Sequence, residues 1–403
     1  MQRSLTLTFI AFAVSPAAFA QEYTVDARLT IAGANIADES ALALAGDDFL
    51  ASGRLVVTRK DVLDSGLQLT WRGDARLERD TSPRPSFAGV IGSCPPSNVT
   101  CPRVPSGPIY GSPVSPATGI ASDGPIADED LFLAVDSASL TISGAWGETV
   151  LGFDSGAASM LDARPPTVLQ RVSAFSPGLD PSGLVVTRAR NDVTGPSAKV
   201  SYLSPRWLGV RLGGSFTPTA DMRGSDFDPG FDALGLAKAD LENVWEGAAS
   251  FERQFASWDI NVRAALTYSH ASSSSGFQGF GDYDAVGAGI EVEKDDWTGG
   301  LRWLSSNNAW ESGNGDYEAI EASLVRRMGD WRIGAELGNS TDDLNGVEGT
   351  SWLVGATYTL MKNVDLGGAL VSSVANVPVL LPSGSGHTEA SNEGLVIELT
   401  VRN

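Results

Sequence analysis

The chain has 403 residues, 42% of them hydrophobic, with 45 Gly, 21 Pro, 2 Cys and 2 His, and a formal net charge of −21. With 28 Lys and Arg against 49 Asp and Glu and no basic block to offset them, its surface repels nucleic acid. A mean hydropathy of −0.03 and the lack of any apolar run of about 18 residues beyond the N-terminus exclude a helical membrane protein, so composition alone reads as soluble.

The order of the residues overturns that reading. Residues 1–20 carry Arg3, an apolar stretch from Leu5 to Val14 and Ala18-Phe19-Ala20 as a small-x-small cleavage site, the layout of a secretory signal peptide. Its apolar segment is too short to span a bilayer. The mature domain is then expected over 21–403. In an exported chain, Cys94 and Cys101, seven positions apart among Pro, Ser and Gly, are expected to form a disulfide closing a small loop.

From residue 22 onward the dominant signal has period 2, the mark of strands with one apolar and one polar face. Val25, Ala27, Leu29 and Ile31 alternate with Thr24, Asp26, Arg28 and Thr30, and Leu395, Ile397, Leu399 and Val401 repeat the pattern near the end. The alternation predicts sixteen strands, near 22–34, 47–58, 66–79, 130–142, 148–153, 195–203, 207–217, 243–255, 257–271, 282–294, 297–309, 316–327, 331–341, 350–361, 364–376 and 393–402.

The predicted connections alternate in length. Tight ones include Ser204 to Arg206, Ala256, Asp295-Asp296, Met328 to Asp330 and Lys362-Asn363. Long ones, rich in Gly, Pro, Ser and Asp, are 80–129, 154–194, 218–242, 272–281 and 377–392. Short turns at one rim and long loops at the other are what a transmembrane β-barrel shows. Sixteen strands of about 11 residues leave roughly half of the mature chain for loops and enclose an aqueous lumen, with both termini at the periplasmic rim.

Aromatic placement agrees. Trp207, Trp258, Trp297 and Trp331 each begin a strand after a tight turn, and Trp245, Trp310, Tyr317 and Trp352 lie beside the longer loops, as two interfacial girdles require.

Ser143-Gly-Ala-Trp-Gly-Glu-Thr-Val-Leu-Gly152, then about 40 residues, then Ala198-Lys-Val-Ser-Tyr202-Leu-Ser204-Pro205 and a Gly-rich strand to Pro218, resembles the Gram-negative trimeric porins, especially their alphaproteobacterial branch. The resemblance covers essentially the whole mature chain. It implies an all-β, sixteen-stranded antiparallel barrel in the outer membrane, a homotrimer, whose third long loop, here 154–194, folds into the lumen and narrows it. Two departures stand out. Phe153 occupies a place where the family usually has Arg, and the chain ends Val401-Arg402-Asn403 where the family commonly ends in Phe.

Permeation needs an opening, water and charges that orient solutes. If Val25, Leu29, Leu55, Val57, Leu69 and Leu77 face lipid, then Arg28, Arg54, Arg72 and Arg76 face inward, because a charge at mid-depth on the lipid side costs ~2 to 4 kcal/mol. Lys199, Arg263, Arg302 and Arg332 are further lumen candidates by the same rule. Loop 154–194 supplies Asp154, Asp162 and Asp180, with Arg164, Arg171, Arg188 and Arg190 among them. Loop acids opposite wall arginines would set a transverse field across the narrowest section, strengthened by low-dielectric walls. The overall negative charge points to a mild cation preference, against which the basic wall stands.

In loop 218–242, Asp226, Asp228 and Asp232 have a spacing that could hold calcium, though the full ligand pattern of an EF-hand is missing and solvated loop acids are the plainer reading. No other cofactor is expected. His270 and His387 read as exposed polar residues, and no nucleophile, base and orienting partner come together in the sequence, so an enzyme is not expected. The sequence reads as a channel in outer-membrane lipid for passive diffusion of small hydrophilic solutes and ions. A secreted β-rich adhesin and a substrate-selective channel are the alternatives.

Overall fold

The computed structural model describes residues 20–38, 49–79, 89–91, 112–114, 117–120, 132–220, 239–273, 279–311, 313–381 and 384–403. Cys94, Cys101, Asp226, Asp228 and Asp232, and all of the predicted leader before Ala20, lie outside the described residues. The strands in chain order are β1 (Ala20–Asp38), β2 (Phe49–Val62), β3 (Gln68–Arg79), β4 (Gly89–Ile91), β5 (Ser112–Val114), β6 (Phe132–Gly144), β7 (Gly147–Asp154), β8 (Ser197–Leu203), β9 (Val210–Ala220), β10 (Leu241–Phe255), β11 (Ile260–Ser273), β12 (Tyr283–Lys294), β13 (Trp297–Ser306), β14 (Tyr317–Met328), β15 (Trp331–Asp342), β16 (Val347–Met361), β17 (Val364–Leu381) and β18 (Gly384–Arg402).

Among the described residues, sixteen of these strands pair antiparallel into one closed barrel, each with its sequence neighbour, β3 with β6, and β18 back onto β1. Closure leaves no sheet edge, which is what lets strands cross lipid with their backbone groups paired. At the seam, the Asn403 side chain accepts from the Ala27 N–H at 2.7 Å and donates to the Val25 carbonyl at 2.9 Å. The remaining two strands, β4 and β5, form a separate two-stranded sheet inside the stretch expected as a loop over 80–129.

The period-2 pattern sorts residues as the lipid requires. Val25, Leu29, Leu55, Val57, Leu77, Leu266, Ile290, Leu301, Leu337 and Ile397 are exposed on the outer surface. Trp207, Trp258, Trp297 and Trp331 are exposed at the tight-turn rim, and Trp245 and Trp352 at the other. Two aromatics expected in the outer girdle are instead buried. Trp310 packs edge-on against Phe280 at 5.3 Å, and Tyr317 starts β14 on its inward face. Tyr317 shares parity with Ala319 and Glu321, not with Ile320, and proximity to a loop did not reveal that register.

The segment 377–392, expected as a long loop, is strand. Pairing runs on from Val377 with Thr388 to Leu381 with Gly384, leaving only 382–383 between β17 and β18. Val377, Val379, Leu380 and Leu381 favour strand, and the Gly and Ser residues over 384–386 that read as loop take part in the same pairing.

One irregularity shapes the lumen. Between Asp74 and Ala75 of β3 the register against β6 slips, since Asp74 opposes Ser137 and Ala75 opposes Val135. Asp136 is the extra residue of this bulge; it keeps the inward parity opposite to the exposed Leu133 and Val135, and beyond it the inward positions shift to Ser137 and Ser139.

Candidate functional site

The chain between β7 and β8, residues 155–196, lies inside the barrel, mostly buried, with a short helix α1 (Ala157–Met160) near its start. Its apolar side chains Val168, Leu169, Val172, Ala174 and Leu179 pack on Ala32, Leu50, Val325, Leu353 and Val396 of the wall. These wall residues point inward, which a water-filled bore would penalise, and the loop covers them.

Polar anchoring comes from glutamates on the wall. Glu336 accepts the Val168 N–H at 2.6 Å, the Ala174 N–H at 3.0 Å and the Ser173 hydroxyl at 2.6 Å. Glu398 accepts the N–H groups of Gln170, Arg171 and Val172 at 2.7, 3.0 and 3.0 Å. Glu321 accepts the Ala189 N–H at 2.6 Å, and Glu246 accepts the Thr194 hydroxyl at 3.0 Å. Tyr317 accepts the Arg188 N–H at 3.0 Å. A buried N–H left unpaired costs about 1 to 3 kcal/mol, so each carboxylate fixes a stretch of loop backbone strongly.

Glycines mark the track of the loop. A Cβ on Gly289 would stand 2.3 Å from the Ala163 carbonyl oxygen, and one on Gly300 2.6 Å from Pro165 Cα. At Gly338 the Ala174 carbonyl oxygen would lie 2.7 Å away. The loop backbone approaches the wall so closely at these inward positions that no side chain fits.

Opposite this anchored side is a polar lumen section of about 520 Å3, bounded among others by Arg54, Arg72, Arg76, Asp74, Asp136 and Asp154, with Arg164, Arg171 and Arg190 from the loop. Arg402, Arg28, Arg54 and Arg76 stand side by side in register across β18, β1, β2 and β3. Along β3, Arg72, Asp74, Arg76 and Glu78 alternate in sign on the inward face. Arg54 and Arg72 both reach Asp74 at 2.7 Å, Arg76 reaches Glu78 at 2.5 Å and Asp136 at 3.3 Å, and Arg171 of the loop reaches Glu78 at 2.5 Å.

The exposed pairs are lopsided. Side-chain exposure is 42% for Arg54 and 44% for Arg72 against 1% for Asp74, 20% for Arg171 against 1% for Glu78, and 53% for Arg164 against 7% for Asp162, its neighbour at 4.0 Å. In these pairs the carboxylates are buried, Asp74 and Glu78 on the wall and Asp162 beside Arg302, and the guanidinium groups are the more exposed partners; Glu148, 39% exposed beside Arg211 at 21%, lines the same section with the opposite balance.

The structure separates the remaining residues expected at the constriction. Arg28 is exposed beside Arg54, while Arg76 is buried between its two carboxylates. Asp154 accepts the hydroxyls of Ser137 and Ser139 at 2.9 and 2.6 Å and lines the same section as the arginines. Asp162 and Asp180 do not face that cluster. Asp162 is buried against Arg302 at 2.6 Å, and Asp180 is consumed within the loop by the N–H groups of Ser182 and Val185, both at 2.8 Å. A loop aspartate with two N–H donors in reach satisfies them before it faces solvent.

The further cations divide in the same way. Arg302 joins Glu321 and Asp162, Arg332 donates to the Val168 carbonyl at 2.9 Å, and Lys199 donates to the Thr194 hydroxyl and the Gly195 carbonyl, each at 2.7 Å. All three hold the loop. Arg263 stays exposed near the tight-turn rim between Glu252 at 3.2 Å and Glu291 at 2.9 Å.

The sequence reading missed Asp74, Glu78, Asp136, Glu246, Glu321, Glu336 and Glu398. The parity that put the arginines inside places these carboxylates there too, and Glu336 is the single Glu of its strand β15. A second segment was missed as well. Thr118 shares a 2.6 Å hydroxyl–hydroxyl hydrogen bond with Ser306 and donates its own N–H to the Asn308 side-chain oxygen at 2.9 Å, and Ile120 packs with Leu184 and Val186 of the loop. His270 meets Asp284 at 3.0 Å on the outer surface, and among the described residues no group of three or more His, Cys, Asp and Glu side chains could hold a metal ion.

A closed antiparallel cylinder, apolar outside, polar within and crossed by an inward-folded loop, is a transmembrane β-barrel channel. The chain belongs to the Gram-negative porins, whose family model matches residues 6–373. It is therefore an outer-membrane channel for passive diffusion of solutes. Solved structures agree in fold at low identity. The anion-selective porin from Comamonas acidovorans matches with a TM-score of 0.54 at 14% identity, over 95% of this chain and all of that one. The outer-membrane channel DcaP of Acinetobacter baumannii matches with 0.56 at 11%, over 94% and 97%, and the Salmonella typhi OmpF complex with daunomycin with 0.54 at 9%, over 94% and 97%. No curated protein matches the chain in sequence.

Proposed function

We propose that this porin favours small anionic solutes, and that it works as a homotrimer after removal of residues 1–20. The constriction is formed by Arg28, Arg54, Arg72, Arg164 and Arg171 around the section that Asp154 also lines, with 154–194 as the narrowing loop. The observation that supports anion preference is the lopsided burial of the ion pairs at that section. A passing solute touches guanidinium groups while the neutralising carboxylates sit behind them, so the local potential is positive although the chain as a whole carries −21. The acids that make the chain negative act at greater distance and are screened within about 10 Å at 0.1 M salt. This reading replaces the mild cation preference that net charge alone indicated.

The test is a planar-bilayer recording in a tenfold KCl gradient. The zero-current potential is expected to have the sign that chloride permeation gives, and a potential of the potassium sign overturns the proposal.

A further inference from the structure

The outward surface between β9 and β13 is not uniform. At its centre Ala249, Ala264 and Ala288 form a floor walled by Val210, Phe251, Leu266, Ile290, Leu301 and Trp303, and the groove they enclose has a volume of about 430 Å3 with almost no polar lining. Register places it toward the tight-turn rim, since Phe251, Ala264, Ile290 and Leu301 stand in one row across four strands.

Below that row the outward face carries cations, with Asp259, Asp295 and Asp296 in the tight turns at the rim beyond them. Arg253 opposes Val262, two positions nearer the rim than Ala264, and Lys294 opposes Ile260, two positions further still. Arg326, across from Trp297, continues the Lys294 row with its guanidinium 5.2 Å from that ring, and Arg253 lies 5.5 Å from the Phe255 ring. Among the described residues, no carboxylate forms an ion pair with Arg253 or Lys294. The opposite half of the same outer face carries acids instead. Glu318 accepts the Trp303 indole N–H at 2.8 Å, and Asp284 accepts the Tyr268 hydroxyl at 2.5 Å.

We propose that this face holds one glycerophospholipid of the periplasmic leaflet, with an acyl chain in the alanine-floored groove and its phosphate between Arg253 and Lys294. The two cations stand on strands β10 and β12, about 10 Å apart across the sheet, a span that long side chains close on a phosphate. Each pair of residues along a strand advances about 7 Å, so the groove begins where a tail leaves its glycerol. Cations at this depth meet lipid phosphates, whereas the acids of the other half repel them. The apolar floor removes a tail from contact with other lipid and gives it walls on both sides, while the phosphate gives the two cations a direct ion-pair partner.

Native mass spectrometry of the detergent-solubilised chain, titrated with phosphatidylglycerol, phosphatidylethanolamine and diacylglycerol, tests this. Both phospholipids are expected to give a preferred one-lipid species per chain, and diacylglycerol none. Arg253→Gln with Lys294→Gln should weaken retention at least fivefold, and Ala264→Leu with Ala288→Leu should abolish the one-lipid species while the charges remain. Heat-modifiable gel mobility and channel conductance report that each variant folds, because both sites lie outside the bore. Unchanged retention in the folded variants overturns the proposal. So does a graded series of adducts with no preferred species, or a cross-link between copies from Leu266→Cys showing that another chain covers the groove.

Discussion

Arg54 grips Asp74 through two parallel hydrogen bonds of 2.8 and 2.7 Å, and Arg72 reaches the same carboxylate at 2.7 Å. One buried negative charge thus serves two exposed positive ones, leaving a surplus cation on the water side. Arg72→Gln keeps the bidentate pair, so the barrel should retain its stability while the anion-to-cation permeability ratio falls about tenfold. That figure follows from about 0.7 kcal/mol for a unit charge some 6 Å from the permeating ion in water, lost by the anion and gained by the cation. Zero-current potentials of the two proteins in the same gradient measure it. The double variant with Arg54→Gln strands Asp74 and should lose on the order of 3 kcal/mol in urea unfolding as well.

Glu336 is expected to matter more for the stillness of the bore than for its charge. Glu336→Ala leaves two backbone N–H groups and a hydroxyl without their acceptor, about 1 to 3 kcal/mol for each group that stays dry. Single-channel recordings should show higher mean conductance with rapid flicker. A trace as quiet as that of the unaltered protein would mean that Glu398 and the apolar packing suffice.

Gly289→Ala adds one methyl group where the Ala163 carbonyl oxygen already stands 2.3 Å from the Cβ position. The loop must move away, at about 1 to 3 kcal/mol, and conductance should change without any change of charge. Gly73, which has open space at the same position, is the control, and Gly73→Ala should leave conductance unaltered.

Asn403→Ala removes both side-chain hydrogen bonds across the seam between β18 and β1. At about 0.5 to 1.5 kcal/mol each, their loss should lower the temperature at which the folded band disappears in semi-native electrophoresis. Conductance of the channels that do form should be unaffected.

The strands were legible because lipid imposes apolar character on every second residue, and Leu29, Leu55 and Leu77 could not have been placed otherwise. The same rule set the inward direction of Arg54 and Arg72. It did not reveal where the loop would dock, since Glu336 meets Val168 across 168 residues and the local pattern around Glu336 is that of any polar-in, apolar-out strand. The bulge at Asp136 breaks the period on which the reading depends. Tyr317 looked interfacial from its neighbours in sequence, and only the register of β14 against β13 turns it inward. Leu50 and Leu353 face the bore against the polar rule because the loop lies over them, a tertiary fact with no local signature.

The wall glutamates clasp the loop by its main chain, and amide hydrogens are common to every amino acid but proline. Positions whose side chains neither pack on the wall nor bond to it can therefore be exchanged through mutation while the diaphragm keeps its position, whereas Val168, Leu169, Val172, Ala174 and Ala189 are held by burial as well. A lineage built on such a tether can shift from one class of nutrient to another by single substitutions on the rim of the aperture, without having to reinvent the aperture itself.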